Sequence, residues 1–393
     1  MAAGDAARDP FVLTAEERIV RDTARAFARD RLAPTVALRD EEERYDRALF
    51  DGMAQVGLAG LPYPERYGGG GMGTFPWVVA LEELAAADMG MAVSLSVHVL
   101  AQLPILTFGT DEQKDRFLPR MTSGELLGAF ALTEPGAGSD AAALSLAARR
   151  EGNDYLLDGS KIWITNGAHA GVTVAFATVD KSKGREGITA FVVEAGTPGL
   201  RVAGHERKMG IRDTVSAELV FDGARVPATN RLGEEGQGLK VALSALGAGR
   251  ISIAACCVGL ARAAMEHAVR YAAERKQFGR PIADQEMIQA MLAEMAAGVE
   301  AARLLTWRAA RLRDAGQPIN APSSMAKWIA SDTAMRVTTD AVQVYGGAGY
   351  SRDNPVERFM RDAKGAQIYE GTNQIHRLII AQHLIETMRT TDR

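Results

Sequence analysis

Gln367-Ile-Tyr-Glu-Gly-Thr-Asn-Gln-Ile-His-Arg377 sets one carboxylate, Glu370, between an aromatic ring, Tyr369, and a glycine, Gly371. Helical patterns flank it. Val356-Glu-Arg-Phe-Met-Arg-Asp-Ala-Lys364 precedes it, and Ile375, Leu378, Ile379, Ile380, Leu384 and Ile385 recur at helical spacing after it. The stretch therefore predicts a break between two helices, with Glu370 in the break. Gly371 frees the backbone there and admits a ligand closely, and Thr372 can cap the helix that follows. A carboxylate beside a ring and little water has a raised pKa, which suits a general base near neutral pH. Taken alone, the stretch is read more simply as a solvated carboxylate at a helix end.

Outward from this break the C-terminal part, 236–393, is helical, with long patterns over 238–275, 285–315, 323–345, 356–364 and 372–388. Long amphipathic helices joined by short loops predict an antiparallel bundle. Between 128 and 235 the texture changes to period two. Short strands are expected over 172–178, 188–193, 200–203 and 217–221, and residues 155–165 read as a hairpin turning at Asp158-Gly159. Strands joined by tight turns, with no helices between, predict a sandwich or barrel rather than a parallel sheet, and no Gly-x-Gly-x-x-Gly opens a helix after a strand. The N-terminal part, 1–127, is helical again: Thr14 and Glu17 form a capping box, and helices are expected over 47–56, 77–87, 92–108 and 111–121. Tyr67-Gly-Gly-Gly-Gly-Met-Gly73 has neither a strand before it nor Gly-Lys-Ser/Thr after it, so it reads as a flexible connection rather than a phosphate loop. The fold class is α+β, mainly α: an N-terminal helical domain, a central β-sandwich or barrel domain and a C-terminal helix bundle.

At 393 residues the chain can bury two or three substantial cores. A net charge of −4 and no lysine- or arginine-rich block argue against nucleic acid as a partner. Residues 1–10 have no apolar segment of the signal-peptide kind and carry two acids, unlike a transit peptide. No apolar run reads as long enough to span a bilayer. The expected location is cytoplasmic, or the mitochondrial matrix if a transit peptide has been removed. The only cysteines, Cys256 and Cys257, are neighbours on a helix and read as small buried residues. Six scattered histidines show no metal-ligand spacing, so no metal is expected.

Three further stretches carry possible chemistry. In Phe130-Ala-Leu-Thr-Glu-Pro-Gly-Ala-Gly-Ser-Asp140, Glu134 precedes a proline and cannot be helix interior, while Gly136 and Gly138 let the backbone turn and expose amides. An ordinary turn explains it as well. Trp163 and Thr165 end a strand on one face, where an indole can cover a flat ring and a hydroxyl can bond its edge; a core tryptophan is the plain alternative. Arg275 closes a helix ahead of Gly279 and Pro281, where a cation suits the helix dipole and a guanidinium also suits a pyrophosphate.

Phe130–Asp140, Lys161-Ile-Trp-Ile-Thr165, Glu274-Arg-Lys-Gln-Phe-Gly279, Gln343-Val-Tyr-Gly-Gly347 and Tyr369-Glu-Gly-Thr372 occur in an order and spacing that resemble the flavin-dependent acyl-CoA dehydrogenases. The resemblance runs from about Leu13 to His383 and is closest in wording to the short-chain and short-branched-chain members. It implies FAD as cofactor. Leu132 and Thr133 would lie against the flavin ring, Trp163 would shield it, and Thr165 would bond its N5. Arg275 would take the pyrophosphate, with Phe278 near the adenine. Gln343, Gly346 and Gly347 would be a second contact reached from a neighbouring subunit, and Thr372 and Gln374 further dinucleotide contacts. Ser139, Arg250, Tyr369 and Gly371 would face the acyl-CoA. Two departures stand out: Gly247 replaces an acidic or amide residue that touches the CoA chain in many relatives, and Glu286 stands where glutamine is common.

The resemblance also implies a reaction, the α,β-dehydrogenation of an acyl-CoA to the trans-2-enoyl-CoA. Glu370 would take the α-proton, the β-hydrogen would leave as hydride to flavin N5, and electrons would pass to an electron-transferring flavoprotein. A homotetramer built as a dimer of dimers goes with it. The rivals are an acyl-CoA oxidase using oxygen, a flavin monooxygenase on the same fold, and a non-catalytic scaffold homologue. The glutamate in this setting counts against the monooxygenases. Intact Trp163, Thr165, Arg275 and Glu370 count against the scaffold.

Overall fold

The computed structural model describes residues 11–391, so residues 1–10 and 392–393 lie outside the described part. Six α-helices come first: α1 Ala15–Phe27, α2 Val36–Glu41, α3 Arg47–Gln55, α4 Thr74–Ala87, α5 Met89–Phe108 and α6 Asp111–Thr122. The expected box opens α1, with Thr14 accepting from the Glu17 N–H at 3.0 Å while Glu17 accepts from the Thr14 N–H at 2.8 Å. Strands β1 Gly128–Ala131, β2 Ala147–Glu151, β3 Asp154–Thr165, β4 Val172–Thr178, β5 Ile188–Glu194, β6 Leu200–His205, β7 Ser216–Pro227 and β8 Arg231–Leu232 follow. Then come α7 Gly238–Glu274, a short hairpin of β9 Lys276–Gln277 and β10 Arg280–Pro281, α8 Glu286–Asp314, α9 Asn320–Tyr345, α10 Val356–Ala366 and α11 Asn373–Thr391.

The strands form one mixed sheet in the order β6-β7-β3-β2-β4-β5-β8, with β1 parallel to β4. It folds into two plies joined at the single β2–β4 pairing, Ala147 with Thr178. Ala175, Ala177, Phe191 and Val193 face Tyr155, Leu157, Ile164, Leu219 and Phe221 of the other ply. Val172, Val174 and Phe176 face the opposite way, onto Ile105 of α5, Phe117 of α6 and Val241 of α7. With both faces covered, β4 is buried throughout and, apart from Thr173 and Thr178, apolar, as doubly buried strands are.

Three readings need correction. Asp158-Gly159 is not a turn: β3 runs unbroken through it, Gly159 sits at φ 140°, and the register with β7 slips between Leu157 and Gly159. A glycine that permits an unusual backbone serves a bulge as readily as a turn, and pairing with β7 selects the bulge. The hairpin turn lies at Gly152 instead, between Glu151 and Asp154. Nor is the glycine-rich loop a loose connection. Gly70 and Gly71 donate to the Gly60 and Tyr63 carbonyls at 3.0 and 2.7 Å, and a Cβ on Gly70 would meet the Leu61 carbonyl at 2.9 Å. The glycines are there for close backbone packing. Finally, α5 and α7 are each long and apolar enough to cross a membrane by length and composition, contrary to the sequence reading. In the fold, 78% and 83% of those spans are buried within the protein, as core helices are.

Helix α7 is the axis of the C-terminal part. It packs against α4, α5, α8, α9 and α10, and its Ile251–Ala264 segment is buried on nearly every face.

Candidate active site

The break predicted at Glu370 is present between α10 and α11. Glu370 and Gly371 take left-handed backbone, φ 53° and 93°. A non-glycine residue there is uncommon and persists only where its surroundings hold it. Here α9 does the holding. Lys327 Nζ donates to the Gly371 carbonyl at 2.7 Å and to Asn373 Oδ1 at 3.2 Å. Asn373 Nδ2 donates to Ser331 Oγ at 2.9 Å and Asp332 Oδ1 at 2.7 Å, and Gln367 Nε2 donates to Asp332 Oδ1 at 2.7 Å. Thr372 caps α11 as predicted, accepting from the Ile375 N–H at 3.4 Å.

The turn lays the Glu370 carboxyl on α7. A Cβ on Gly249 would fall 3.0 Å from the carboxyl carbon and closer still to Oε2, so a side chain at 249 would displace it. Oε2 is shut from solvent and has no hydrogen-bond partner, although the residue as a whole is only half-buried. Burial lifts the carboxyl to about 7, against the downward pull of the Lys327 and Arg250 charges. Arg250 is buried, its Nη1 on Asn320 Oδ1 at 3.2 Å and Ser324 Oγ at 3.4 Å, and its Nε has no partner. Burial brings the fully enclosed Lys327 down to about 8. The His376 ring packs over Gly371, and burial lowers it to about 3, so it is neutral. The buried Tyr369 hydroxyl also lacks a partner.

Gly249, Lys327 and His376 escaped the sequence reading. Lys327 left one signal: it stands alone as a charge on a helix stripe of small buried residues, Ser323, Ser324, Ala330, Ser331 and Ala334. Gly249 left none, because its role depends on a carboxyl that arrives from another helix.

Trp163 sits at the end of β3 at φ 61° with 52% of its surface exposed, beside the buried Ile164 and the half-buried Thr165. A second register slip, between Lys161 and Ile164, re-aims it. Leu132 and Thr133 lie alongside, the Thr133 carbonyl accepting from the Ile162 N–H at 3.0 Å. A buried ion pair that the sequence reading passed over fixes this edge. Lys161 Nζ reaches Glu134 Oε1 at 2.7 Å and the Leu132 carbonyl at 2.9 Å. Glu134 also accepts from the Ser145 and Leu146 N–H groups at 2.6 and 2.9 Å. Burial alone would raise the Glu134 carboxyl, but Lys161 and these amides hold it below its usual range. The loop 206–215 ties the end of β3 toward α10, since Asn166 N–H donates to Val215 O at 3.0 Å and Ile211 N–H donates to Asp362.

The remaining predicted residues are exposed. Ser139 is exposed on the loop after β1, and Gln374 is exposed in the first turn of α11. Arg275 caps α7 at a distance of about 37 Å from Arg250, at the rise of an α-helix. Phe278, 95% exposed, tips the β9–β10 hairpin at φ 52°, followed by Gly279 at 78°. Gln343, Gly346 and Gly347 are exposed at the same end, where Tyr345 stacks on Tyr271 at 4.0 Å, one turn before Arg275. Arg275 and Gln343 thus lie at the same end of α7 and α9, remote from the Glu370 of their own chain.

The end of β3 and the break at Glu370, tied through the loop 206–215, offer groups that fit a planar cofactor and a substrate that completes unpaired atoms. Trp163 offers an exposed flat surface, and the Glu370 Oε2 and Tyr369 hydroxyl are buried without partners. A helix–sheet–helix chain with a desolvated carboxyl at a helix break is arranged for proton transfer with a bound ligand. Family models described as the acyl-CoA dehydrogenase N-terminal, middle and C-terminal domains match residues 14–125, 129–224 and 236–385. The chain belongs to the acyl-CoA dehydrogenase family of oxidoreductases. The short-chain specific acyl-CoA dehydrogenase of Megasphaera elsdenii is 46% identical over 95% of this chain and 99% of its own length. The solved butyryl-CoA dehydrogenase from Megasphaera elsdenii superposes with a TM-score of 0.94 at 45% identity, covering 95% of this chain and 99% of that one. A chain from a structure described as the electron transferring flavoprotein of Acidaminococcus fermentans matches with a TM-score of 0.94 at 47% identity, again over 95% and 99%.

Proposed function

We propose that this protein is an FAD-dependent dehydrogenase of short- to medium-chain acyl-CoA, straight or branched, with Glu370 as the α-proton acceptor. One observation carries the reading: Glu370 Oε2 is shut from solvent without a hydrogen-bond partner, and burial lifts the carboxyl to about 7. That makes it a poor ion at rest and a matched acceptor for a carbon acid. Among the described residues no acceptor pairs with the Glu370 backbone N–H, which leaves it to bond the thioester carbonyl as negative charge develops there. One such preorganised donor contributes on the order of 3–4 kcal/mol. Tyr369 and Gly371 flank the acyl group and keep water out, Arg250 stands beside the carboxyl, and Ser139 meets the CoA chain. When bound, the flavin accepts the β-hydrogen as hydride.

Leu132, Thr133, Trp163, Thr165, Thr372 and Gln374 hold the flavin on the side of Glu370. Arg275, Phe278, Gln343, Gly346 and Gly347 hold the distant half of a dinucleotide bound to a second copy, because they lie too far from their own Glu370. This supports a dimer as the smallest complete unit, within a tetramer of two dimers. The reduced enzyme passes electrons to an electron-transferring flavoprotein. The test is anaerobic mixing of the yellow protein with acyl-CoA thioesters from butyryl to palmitoyl, including isobutyryl, 2-methylbutyryl and isovaleryl. The oxidised flavin band should bleach fastest with a short or medium chain. A best rate on palmitoyl-CoA would refute the size range, and no bleaching with any thioester would refute the activity.

A further inference from the structure

We propose that Lys327 is a positioning residue for Glu370: anchored on the Gly371 carbonyl and Asn373 Oδ1, its ammonium holds the left-handed turn that lays the carboxyl on Gly249 and keeps a positive charge beside it. The inference rests on the reading of Glu370 as the base.

Lys327 is fully buried, and its Nζ has only neutral oxygens as hydrogen-bond partners, at 2.7 and 3.2 Å. A buried cation without a hydrogen-bonded counter-ion is costly and calls for a reason. Of the two carboxyls that act on it, Glu370 acts more strongly than Asp332. The turn it grips is the strained part of the chain, φ 53° and 93° on consecutive residues. Without the grip, left-handed Glu370 loses the contact that offsets its backbone cost. The other charged or titratable groups around this point are Arg250, Cys256 and Cys257 on α7, Asp332 on α9, Tyr369 in the break and His376 on α11. Both cysteines and Tyr369 are pushed upward by burial and His376 downward, so these four stay neutral near pH 7. Arg250 is the other cation acting on Glu370, and its hydrogen bonds go to Asn320 and Ser324 on α9, leaving the turn to Lys327.

Lys327→Met keeps the length and apolar stem and removes the charge. Loss of an adjacent opposite charge raises a carboxyl pKa, by about 1–3 units at close range. The acid limb of flavin reduction in Lys327→Met should therefore move to higher pH by at least about one unit. The protonated-carboxyl infrared band assigned by its loss in Glu370→Gln should titrate with the same displacement, a readout that does not depend on turnover. Lys327→Arg keeps the charge but not the fit, so its limb should stay while its maximal rate falls. A limb and an infrared titration unchanged in Lys327→Met would overturn the proposal, as would a displaced limb in Lys327→Arg. If Lys327→Met does not fold, Lys327→Gln is read by the same two titrations with the same criteria. Glu370→Gln separates the two readings: if it bleaches at the wild-type rate, Glu370 is not the base, whatever Lys327 does.

Discussion

At Gly249, α7 packs against a carboxyl with one oxygen shut from solvent, under the charges of the buried Lys327 and Arg250; about 37 Å along, at Arg275, it ends in an exposed hairpin whose tip, Phe278, is 95% exposed. At the first end every tether comes from the same chain: Lys327, Asn373, Ser331, Asp332 and Gln367 close on one turn. At the second, Arg275, Gln343, Gly346 and Gly347 face outward without covering structure. The contrast shows how one chain divides its labour. Proton abstraction needs a group withdrawn from water, and a single core can supply that. In the proposed function, the exposed aromatic and arginine beside glycines would be a half-site that a second copy of the chain completes.

The largest effect should come from the sealed end. Glu370→Gln should slow flavin reduction by roughly 10²–10⁴-fold while the protein stays yellow and still binds acyl-CoA. Stopped-flow anaerobic bleaching measures it, and a rate within a few-fold of wild type would move the base to another helix. In the wild type the base must be ionised, so the same rate should fall about tenfold per pH unit below the carboxyl value of about 7.

Next in size is a stability difference. The Glu370 pKa is raised on folding, from 4.5 to about 7, so the folded state holds the proton more tightly than the unfolded one. Stability is then greatest below the unfolded value, is lost as pH rises through that window, and levels off above it. Glu370→Gln removes the penalty and should be more stable than wild type at pH 8, by up to about 3 kcal/mol, and not at pH 4. Denaturant titration at both values checks this. Equal stability at pH 8 would mean that the carboxyl is solvated.

Changes at the open end should act on binding and assembly rather than on the fold. Arg275→Ala should weaken FAD by about 10–100-fold, the loss of a charge-assisted hydrogen bond, and loosen the dimer with it. Isothermal titration and sedimentation measure the two together, and a monomer holding FAD at full occupancy would refute the shared site. Phe278→Ser should show the smallest effect on the fold, within about 0.5 kcal/mol of wild type, because the ring touches so little of its own chain. A larger loss in dilute monomer would show that the hairpin packs on its own subunit.

Much of the local architecture could be read in advance. The Thr14 box, the Thr372 cap, the break at Glu370 and the long helices all follow from residues within a turn or two of each other, where capping and periodicity act. The misread places share a cause. Asp158-Gly159 and the glycines after Tyr67 were assigned by local propensity, and distant partners, β7 and the Gly60–Tyr63 backbone, decided them. The Glu134–Lys161 pair was invisible because its two residues become neighbours only when β3 pairs beside the loop after β1.

The sequence by itself determined that a carboxylate stands between a ring and a glycine at a helix break, since backbone preference and capping are local. Only the tertiary structure decided that burial lifts this carboxyl to about 7. Desolvation and charge come from whatever packs around a group, and Gly249, Arg250 and Lys327 arrive at Glu370 from α7 and α9, whose approach no spacing within 367–377 encodes.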